Sequence, residues 1–116
     1  MLRWVEFPLG PQVLEGLNVG RIDLVATSDA LPAFAQAAKA DLVYLGYSTA
    51  NPKIEAIVVP AASVIHSVKD LKGKRVALNK GSDVNYLLIA ALEEAGLSYQ
   101  DITPLYLPPA DACAAF

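Results

Sequence analysis

The stretch that decides the fold is residues 67–96, which read SVKDLKGKRVALNKGSDVNYLLIAALEEAG. Within it, Arg75–Leu78 is typical of a short strand, and residues 80–82 form a tight loop behind it. From Asp83 onward, apolar residues recur every three or four positions until Gly96, which predicts an amphipathic helix that ends at this glycine. Strand, loop and helix in this order predict one unit of an α/β fold.

The alternation of strand and helix continues on both sides of this stretch. We predict six strands in all and four or five helices, and this pattern favours an α/β fold with parallel sheets. Besides Arg75–Leu78, the predicted strands are Trp4–Phe7, Ile22–Ala26, Leu42–Leu45, Ile54–Val59 and Thr103–Leu107.

Helix signals lie between these strands. Gly10-Pro11 opens a first helix, because proline suits the first helical position, and Gly20 ends it. Any of residues 27–29 can cap a second helix. Ser67 and Asp70 have the spacing of a capping box, with Asp where Glu is commoner, and introduce a single helical turn. The second helix is predicted to pack through Phe34, Ala35 and Ala38, and a last helix begins after Pro108-Pro109.

Composition excludes several classes of protein. The chain has 116 residues, a formal net charge of -3, 54% hydrophobic and 18% charged residues, so we expect a packed core rather than disorder. A nucleic-acid binder usually has a basic excess, and no apolar run here reaches the length of a membrane span. A single cysteine (Cys113) excludes an internal disulfide, and with one histidine (His66) far from it the common zinc spacings are excluded. The single histidine also argues against a histidine-based catalytic triad, unless residues outside this chain supply the missing parts.

The two ends of the sequence predict that the chain is part of a longer protein. The residues after Met1 lack the charged start and long apolar stretch of a signal peptide. Ala110 to Phe116 predicts the beginning of a helix, at which the sequence stops. We therefore expect a fragment of a longer protein. The polar, turn-rich residues 48–53 are the best linker candidate, and they divide the pattern into two α/β halves.

Two loops are candidates for a ligand site. Thr27-Ser28-Asp29 follows the strand Ile22–Ala26, and Lys80-Gly81-Ser82-Asp83 follows Arg75–Leu78. Ligands of open α/β sheets bind beyond the carboxyl ends of strands, where the N-terminus of a following helix attracts an anion. Asp29 and Asp83 would repel a dianion, which favours either a monoanion or aspartate side chains that turn away into helix caps. Helix caps have these residue types with or without a ligand, so the spacing alone leaves the role of both loops open.

Residues 67–77, SVKDLKGKRVA, resemble a segment of type II periplasmic substrate-binding proteins. The order and spacing of further blocks along essentially the whole chain resemble the aliphatic sulfonate-binding proteins of ABC importers, within the branch that also takes taurine and nitrate. These blocks are residues 6–12 (EFPLGPQ), 33–38 (AFAQAA), 40–44 (ADLVY), 79–82 (NKGS) and 106–112 (YLPPADA).

The resemblance implies two α/β lobes joined by a hinge, both incomplete in this chain. Residues 1–52 would be part of lobe 1, residues 53–116 part of lobe 2, and the hinge would lie near residues 48–54. The anionic head of an alkanesulfonate, or of taurine or nitrate, would be held in the cleft between the lobes. Because closure needs contacts from both complete lobes, we expect this fragment by itself to bind weakly or not at all. The ligand-binding residues carried over from the family are Thr27, Ser28, Asp29, Gly81, Ser82 and Asp83.

The resemblance also implies partners and a location. The full-length parent would serve an ABC permease in the periplasm, or outside the cytoplasm on a membrane anchor, with no cofactor, no metal, no nucleic acid and no membrane insertion. Two alternatives stay open: an enzyme on the same fold, similar to a thiamine-pyrimidine synthase, and the ligand-sensing domain of a regulator.

Four departures from the family pattern matter. Ser28 stands where glycine is common, Asp83 where Asn or Ser is common, and Cys113 where the family usually has Arg. The chain is also much shorter than family members and lacks the first strand of lobe 1. We therefore expect unpaired backbone edges and a chain that is marginally stable or pairs with another copy.

Overall fold

A computed structural model describes residues 1–51 and 53–116. Two helices come first, α1 (Gly10–Asn18) and α2 (Ala30–Ala37). A 3-10 turn at Val68–Leu71 then leads into strand β1 (Arg75–Leu78), helix α3 (Asp83–Glu94), a second 3-10 turn at Tyr99–Asp101, strand β2 (Thr103–Tyr106) and helix α4 (Pro109–Ala115). Pro52, in the predicted linker, lies outside the described residues.

The helices confirm the local signals of the sequence. Helix α1 starts at Gly10 with Pro11 in its first turn, and α3 starts at Asp83 as predicted. Gly96 follows the last turn of α3 with a φ of +74°, a left-handed conformation that glycine adopts without strain. Helix α4 follows Pro108, as the paired prolines predicted. None of the described helices is long and apolar enough to cross a bilayer.

The strands agree less well with the prediction. β1 and β2 pair in parallel, from Arg75 opposite Thr103 to Leu78 opposite Tyr106, and α3 connects them. The other four predicted strands are wrong for this structure, because those segments pair with no strand among the described residues. A strand exists only when a neighbour accepts and donates its backbone hydrogen bonds, and apolar β-branched composition cannot supply that neighbour. The segments without pairing are Trp4–Phe7, Ile22–Ala26, Leu42–Leu45 and Ile54–Val59.

The chain forms two compact units, of which one holds residues 49–80 and 84–116, apart from Pro52. Its core is a cluster of aliphatic side chains around α3, and Leu92 is completely buried there. Leu78 of β1, two leucines of α3 and Ile102, which directly precedes β2, contribute to the same cluster, so the parallel pair and its connecting helix fold as one βαβ element. The buried members are Leu71, Leu78, Leu88, Leu92 and Ile102.

The other unit holds residues 1–48 and 81–83. Here α1 and α2 pack closely at Gly10. A Cβ added at this glycine would lie only 2.5 Å from Cδ1 of Leu31, so no larger residue fits there without a shift of Leu31. Leu31 and Pro32 are the buried residues of α2. The predicted packing face of α2 is therefore wrong, since Phe34 remains 46% exposed.

Two carboxylates hold the 3-10 turns of the unit with residues 49–80 and 84–116 in place. Asp70 Oδ2 accepts hydrogen bonds from the backbone N–H of His66 at 3.0 Å and from the N–H of Ser67 at 2.8 Å. Asp101 accepts a bond of 2.8 Å from the N–H of Ser98 in the same way. The first capping box confirms the prediction for Ser67 and Asp70, and the second was not predicted although Ser98 and Asp101 have the same spacing.

Candidate functional site

The first predicted loop lies directly before α2. Asp29 occupies the N-cap position, but its side chain makes no capping hydrogen bond. Thr27 and Asp29 are exposed, whereas Ser28 is half-buried. Oγ of Ser28 is buried and has no hydrogen-bond partner among the described residues. A hydroxyl that is desolvated without a partner raises the free energy of the folded state, so Ser28 has an unmet hydrogen-bonding capacity.

The second predicted loop connects β1 with α3. Gly81 has a φ of +71°, which turns the chain sharply between the strand and the helix. Ser82 is only 3% exposed, and Asp83 is the first residue of α3. Residues 81–83 belong to the same compact unit as residues 1–48, which contain Thr27, Ser28 and Asp29. The structure thus assigns all six predicted site residues to one unit.

A third polar group lies at the carboxyl edge of the two strands, and it includes Lys80, which begins the second candidate loop but is not one of the six predicted site residues. Leu78 and Tyr106 form the last pair of the sheet, and Lys80 follows two residues beyond β1. Nζ of Lys80 lies 5.3 Å from the centroid of the Tyr106 ring, a cation–π contact. The hydroxyl oxygens of Tyr99 and Tyr106 are 3.2 Å apart.

The electrostatics of this group centre on Tyr99. Burial, together with the hydrogen bond to Tyr106, raises the pKa of the Tyr99 phenol to about 12. The side chain of Asn85 acts in the opposite direction and lowers that pKa, as a hydrogen bond donated to the phenol oxygen does. Tyr99 is therefore neutral at physiological pH and available as a donor. These residues are up to 26 positions apart in the sequence, from Lys80 to Tyr106. Only the parallel pairing of β1 with β2 brings them together, so their contact could be predicted only from the strand order.

An apolar groove elsewhere does not coincide with the predicted loops. It has a volume of about 220 Å³. Apart from His66 and Ser67 its lining is aliphatic, so it offers few donors to an anion. Its aliphatic lining consists of Ile57, Val59, Ile65, Val68 and Leu71.

The described residues include groups that are suited to binding an anion. No group of three or more His, Cys, Asp or Glu side chains in residues 1–51 and 53–116 is placed to hold a metal ion. Cys113 is exposed on α4, and the backbone N–H of His66 donates a hydrogen bond to Asp70. Hydroxyls, a lysine ammonium and helix N-termini are groups that bind an anion by hydrogen bonds and charge.

Comparison with known proteins defines the family. The model of the NMT1/THI5-like family matches residues 11–114. The chain belongs to this family. Relatives from Escherichia coli (strain K12) and Bacillus subtilis (strain 168), both named for aliphatic sulfonate binding, are 58% and 38% identical over 115 residues. The match covers 99% of this chain but 36% and 35% of those relatives, so the chain spans about a third of their length.

Solved structures of family members agree with the fold. The alkanesulfonate-binding protein SsuA from Xanthomonas axonopodis pv. citri, bound to MOPS, superposes with a TM-score of 0.88 at 58% identity, over 97% of this chain and 39% of that chain. The periplasmic aliphatic sulphonate binding protein SsuA from Escherichia coli superposes with a TM-score of 0.83 at 59% identity, over 97% of this chain and 37% of that chain. The prediction of an α/β fold of the periplasmic-binding-protein type is confirmed.

Proposed function

We propose that residues 1–116 form part of a periplasmic solute-binding protein that captures an alkanesulfonate, or a similar small monoanion, for an ABC importer. The observation that carries this proposal is the superposition on SsuA bound to MOPS, with a TM-score of 0.88 and 58% identity over 97% of the chain. Such agreement in sequence and backbone supports the same class of ligand.

The mechanism in this proposal is binding without chemical conversion. A sulfonate carries one negative charge spread over three oxygens, and each oxygen accepts hydrogen bonds. Ser28 supports a binding role because its buried Oγ has an unused hydrogen-bonding capacity. The N-terminus of α3, which begins at Asp83, adds the positive end of a helix dipole to the loop of Gly81 and Ser82. We assign the anion to the loops Thr27-Ser28-Asp29 and Gly81-Ser82-Asp83.

The acidic residues in these loops set the charge of the ligand. Asp29 and Asp83 each place a carboxylate at the start of a helix. Two carboxylates tolerate a monoanion better than a dianion, because like charges repel at short range. We therefore infer that a sulfonate binds and that sulfate does not compete effectively with it.

Residues 1–52 and 53–116 are, in the same proposal, parts of two lobes with a hinge near residues 48–54. The transport partner is an ABC permease. The periplasm is the proposed location, by similarity to the periplasmic relative from Escherichia coli.

Isothermal titration calorimetry tests the proposal. The natural polypeptide that carries residues 1–116 is titrated with MOPS, butanesulfonate, taurine, nitrate and sulfate, with butyrate as a carboxylate control. We expect saturable one-to-one binding of at least one sulfonate and weaker binding of butyrate and sulfate. A protein that is folded by circular dichroism and releases no heat with any of the anions would contradict the proposed function.

A further inference from the structure

The carboxyl edge of β1 and β2 holds a cation that the six predicted site residues do not include. Lys80 is exposed and belongs to the same compact unit as Tyr99 and Tyr106. No carboxylate of residues 1–51 or 53–116 is found within 4.0 Å of its ammonium, in contrast to Lys72, which pairs with Asp101 at 3.4 Å. The charge of Lys80 is therefore available to a ligand.

The position of this charge is restricted by an aromatic ring. Lysine side chains are flexible, and an unpaired one on a surface samples many rotamers. Here Nζ lies 5.3 Å from the ring centroid of Tyr106, where the negative face of the ring attracts it. The ring is itself held, because the Tyr106 hydroxyl bonds to the hydroxyl of Tyr99 at 3.2 Å.

The hydroxyl pair adds a donor beside the cation. Two phenol groups carry two protons, and the bond between them uses one. Either hydroxyl can donate in this bond, and when Tyr99 donates, the Tyr106 proton remains for a further acceptor. Tyr106 is 48% exposed, so an acceptor from solution can reach it.

We propose that Lys80 and Tyr106 form an oxyanion subsite at the carboxyl edge of β1 and β2, in which Lys80 supplies the charge and Tyr106 positions it and donates a hydrogen bond. The ligand class is the sulfonate group of the proposed function, on which this inference rests. The subsite gives the chain a positive group at an edge where α/β folds bind ligands, in a protein whose net charge is -3.

Calorimetry with MOPS on variants of the natural polypeptide tests the subsite. Lys80→Gln removes the charge, and we expect it to weaken MOPS binding at least about tenfold and to reduce the salt dependence of the affinity. Lys80→Arg keeps the charge and stacks on the same ring, so it should retain affinity within about threefold. Tyr106→Phe keeps the ring and removes the hydroxyl donor. Its loss of MOPS affinity should therefore lie between that of Lys80→Arg and that of Lys80→Gln.

Lys69→Gln is the matched control, because Lys69 is an exposed lysine in the 3-10 turn before β1. It should leave the affinity unchanged. If Lys80→Gln binds MOPS like the unmodified protein, or if Lys69→Gln weakens binding equally, the subsite is refuted while the proposed function stands. If the unmodified protein is folded and binds no sulfonate, the proposed function fails and the subsite fails with it.

Discussion

The hydroxyl oxygens of Tyr99 and Tyr106 lie 3.2 Å apart and join the 3-10 turn after α3 to the last residue of β2. Burial and this bond together favour the neutral phenol of Tyr99, whose pKa rises to about 12.

Spectrophotometric titration of tyrosinate tests this relationship. We expect one of the five tyrosines to ionise near pH 12, about two pH units above an ordinary tyrosine. Tyr106→Phe removes the bond and should lower the late pKa toward the ordinary value. Tyr86→Phe, which changes an exposed tyrosine on α3, should leave the late transition in place.

The raised pKa of the Tyr99 phenol predicts that the free energy of unfolding falls at high pH. Its folded pKa is raised, so its contribution to the free energy of unfolding is complete below the unfolded pKa of about 10. That contribution is lost as the pH rises through about 12. Thermal melts between pH 9 and pH 12 should show a steeper loss of stability in the unmodified protein than in Tyr106→Phe; equal slopes would contradict the assignment.

The lowered pKa values of the capping carboxylates Asp70 and Asp101 predict that the free energy of unfolding falls at low pH. Hydrogen bonds from the backbone of His66, followed by those from Ser67, lower the pKa of Asp70. The backbone N–H of Ser98 is the main cause of the lowered pKa of Asp101, with the Ser98 hydroxyl next. For a carboxylate with a lowered folded pKa, the stabilising contribution is present above the unfolded pKa of about 3.9 and is lost as the pH falls through the folded pKa.

Asp70→Asn and Asp101→Asn should therefore melt at lower temperature than the unmodified protein at pH 7. The difference should shrink as the pH falls below about 4, because the unmodified carboxyls are then protonated too. Asp41→Asn, at an exposed position outside the helices and strands, is the control and should melt like the unmodified protein. A difference that persists unchanged at the lowest pH would argue against a charged cap.

Ser28 predicts a stabilising substitution. Its buried Oγ lacks a partner among the described residues, and such a group costs about 1–3 kcal/mol. Ser28→Ala should therefore raise the free energy of unfolding of the unliganded protein by about 1 kcal/mol in urea melts. Ser63→Ala is the contrasting control, because Ser63 Oγ accepts the N–H of Ile65 at 3.1 Å, and its loss should destabilise. Destabilisation by Ser28→Ala would show that the hydroxyl is in fact bonded.

Exposed apolar side chains predict association of the 116-residue chain. Trp4 is 90% exposed and Tyr47 is 99% exposed, and both lie in segments without regular secondary structure. Apolar surface of this kind associates in water, and we expect a second copy to cover it. Sedimentation velocity should show a coefficient that increases with concentration, less so for Trp4→Ser. A monodisperse monomer with a high, concentration-independent melting temperature would contradict this expectation.

The sequence was sufficient for the parts of the fold that depend on local signals. Pro11, Gly96 and the spacing of Ser67 and Asp70 each act on their own few residues, so their effects appear in the structure as predicted. The strands other than β1 and β2 were predicted from composition alone. Composition identifies an apolar segment, whereas pairing depends on a neighbour that the segment itself does not encode.

The candidate site shows the same division. The loops at residues 27–29 and 81–83 could be predicted because each lies between an apolar segment and a helix signal. The contact between Lys80 and Tyr106 could not, since it arises from the parallel pairing of β1 with β2 across the length of α3. Capping by Ser98 and Asp101 carried a visible signal, the Ser-x-x-Asp spacing, that was not used.

The most direct test of the proposed anion site is a two-dimensional amide NMR spectrum of the isotope-labelled natural polypeptide that carries residues 1–116, recorded during titration with alkanesulfonates, taurine and nitrate. We predict dispersed peaks, with the amide resonances of Gly81 and Ser82 moving saturably and the alkanesulfonates ranking first. Dispersed peaks that move with none of these anions would contradict the proposed anion site.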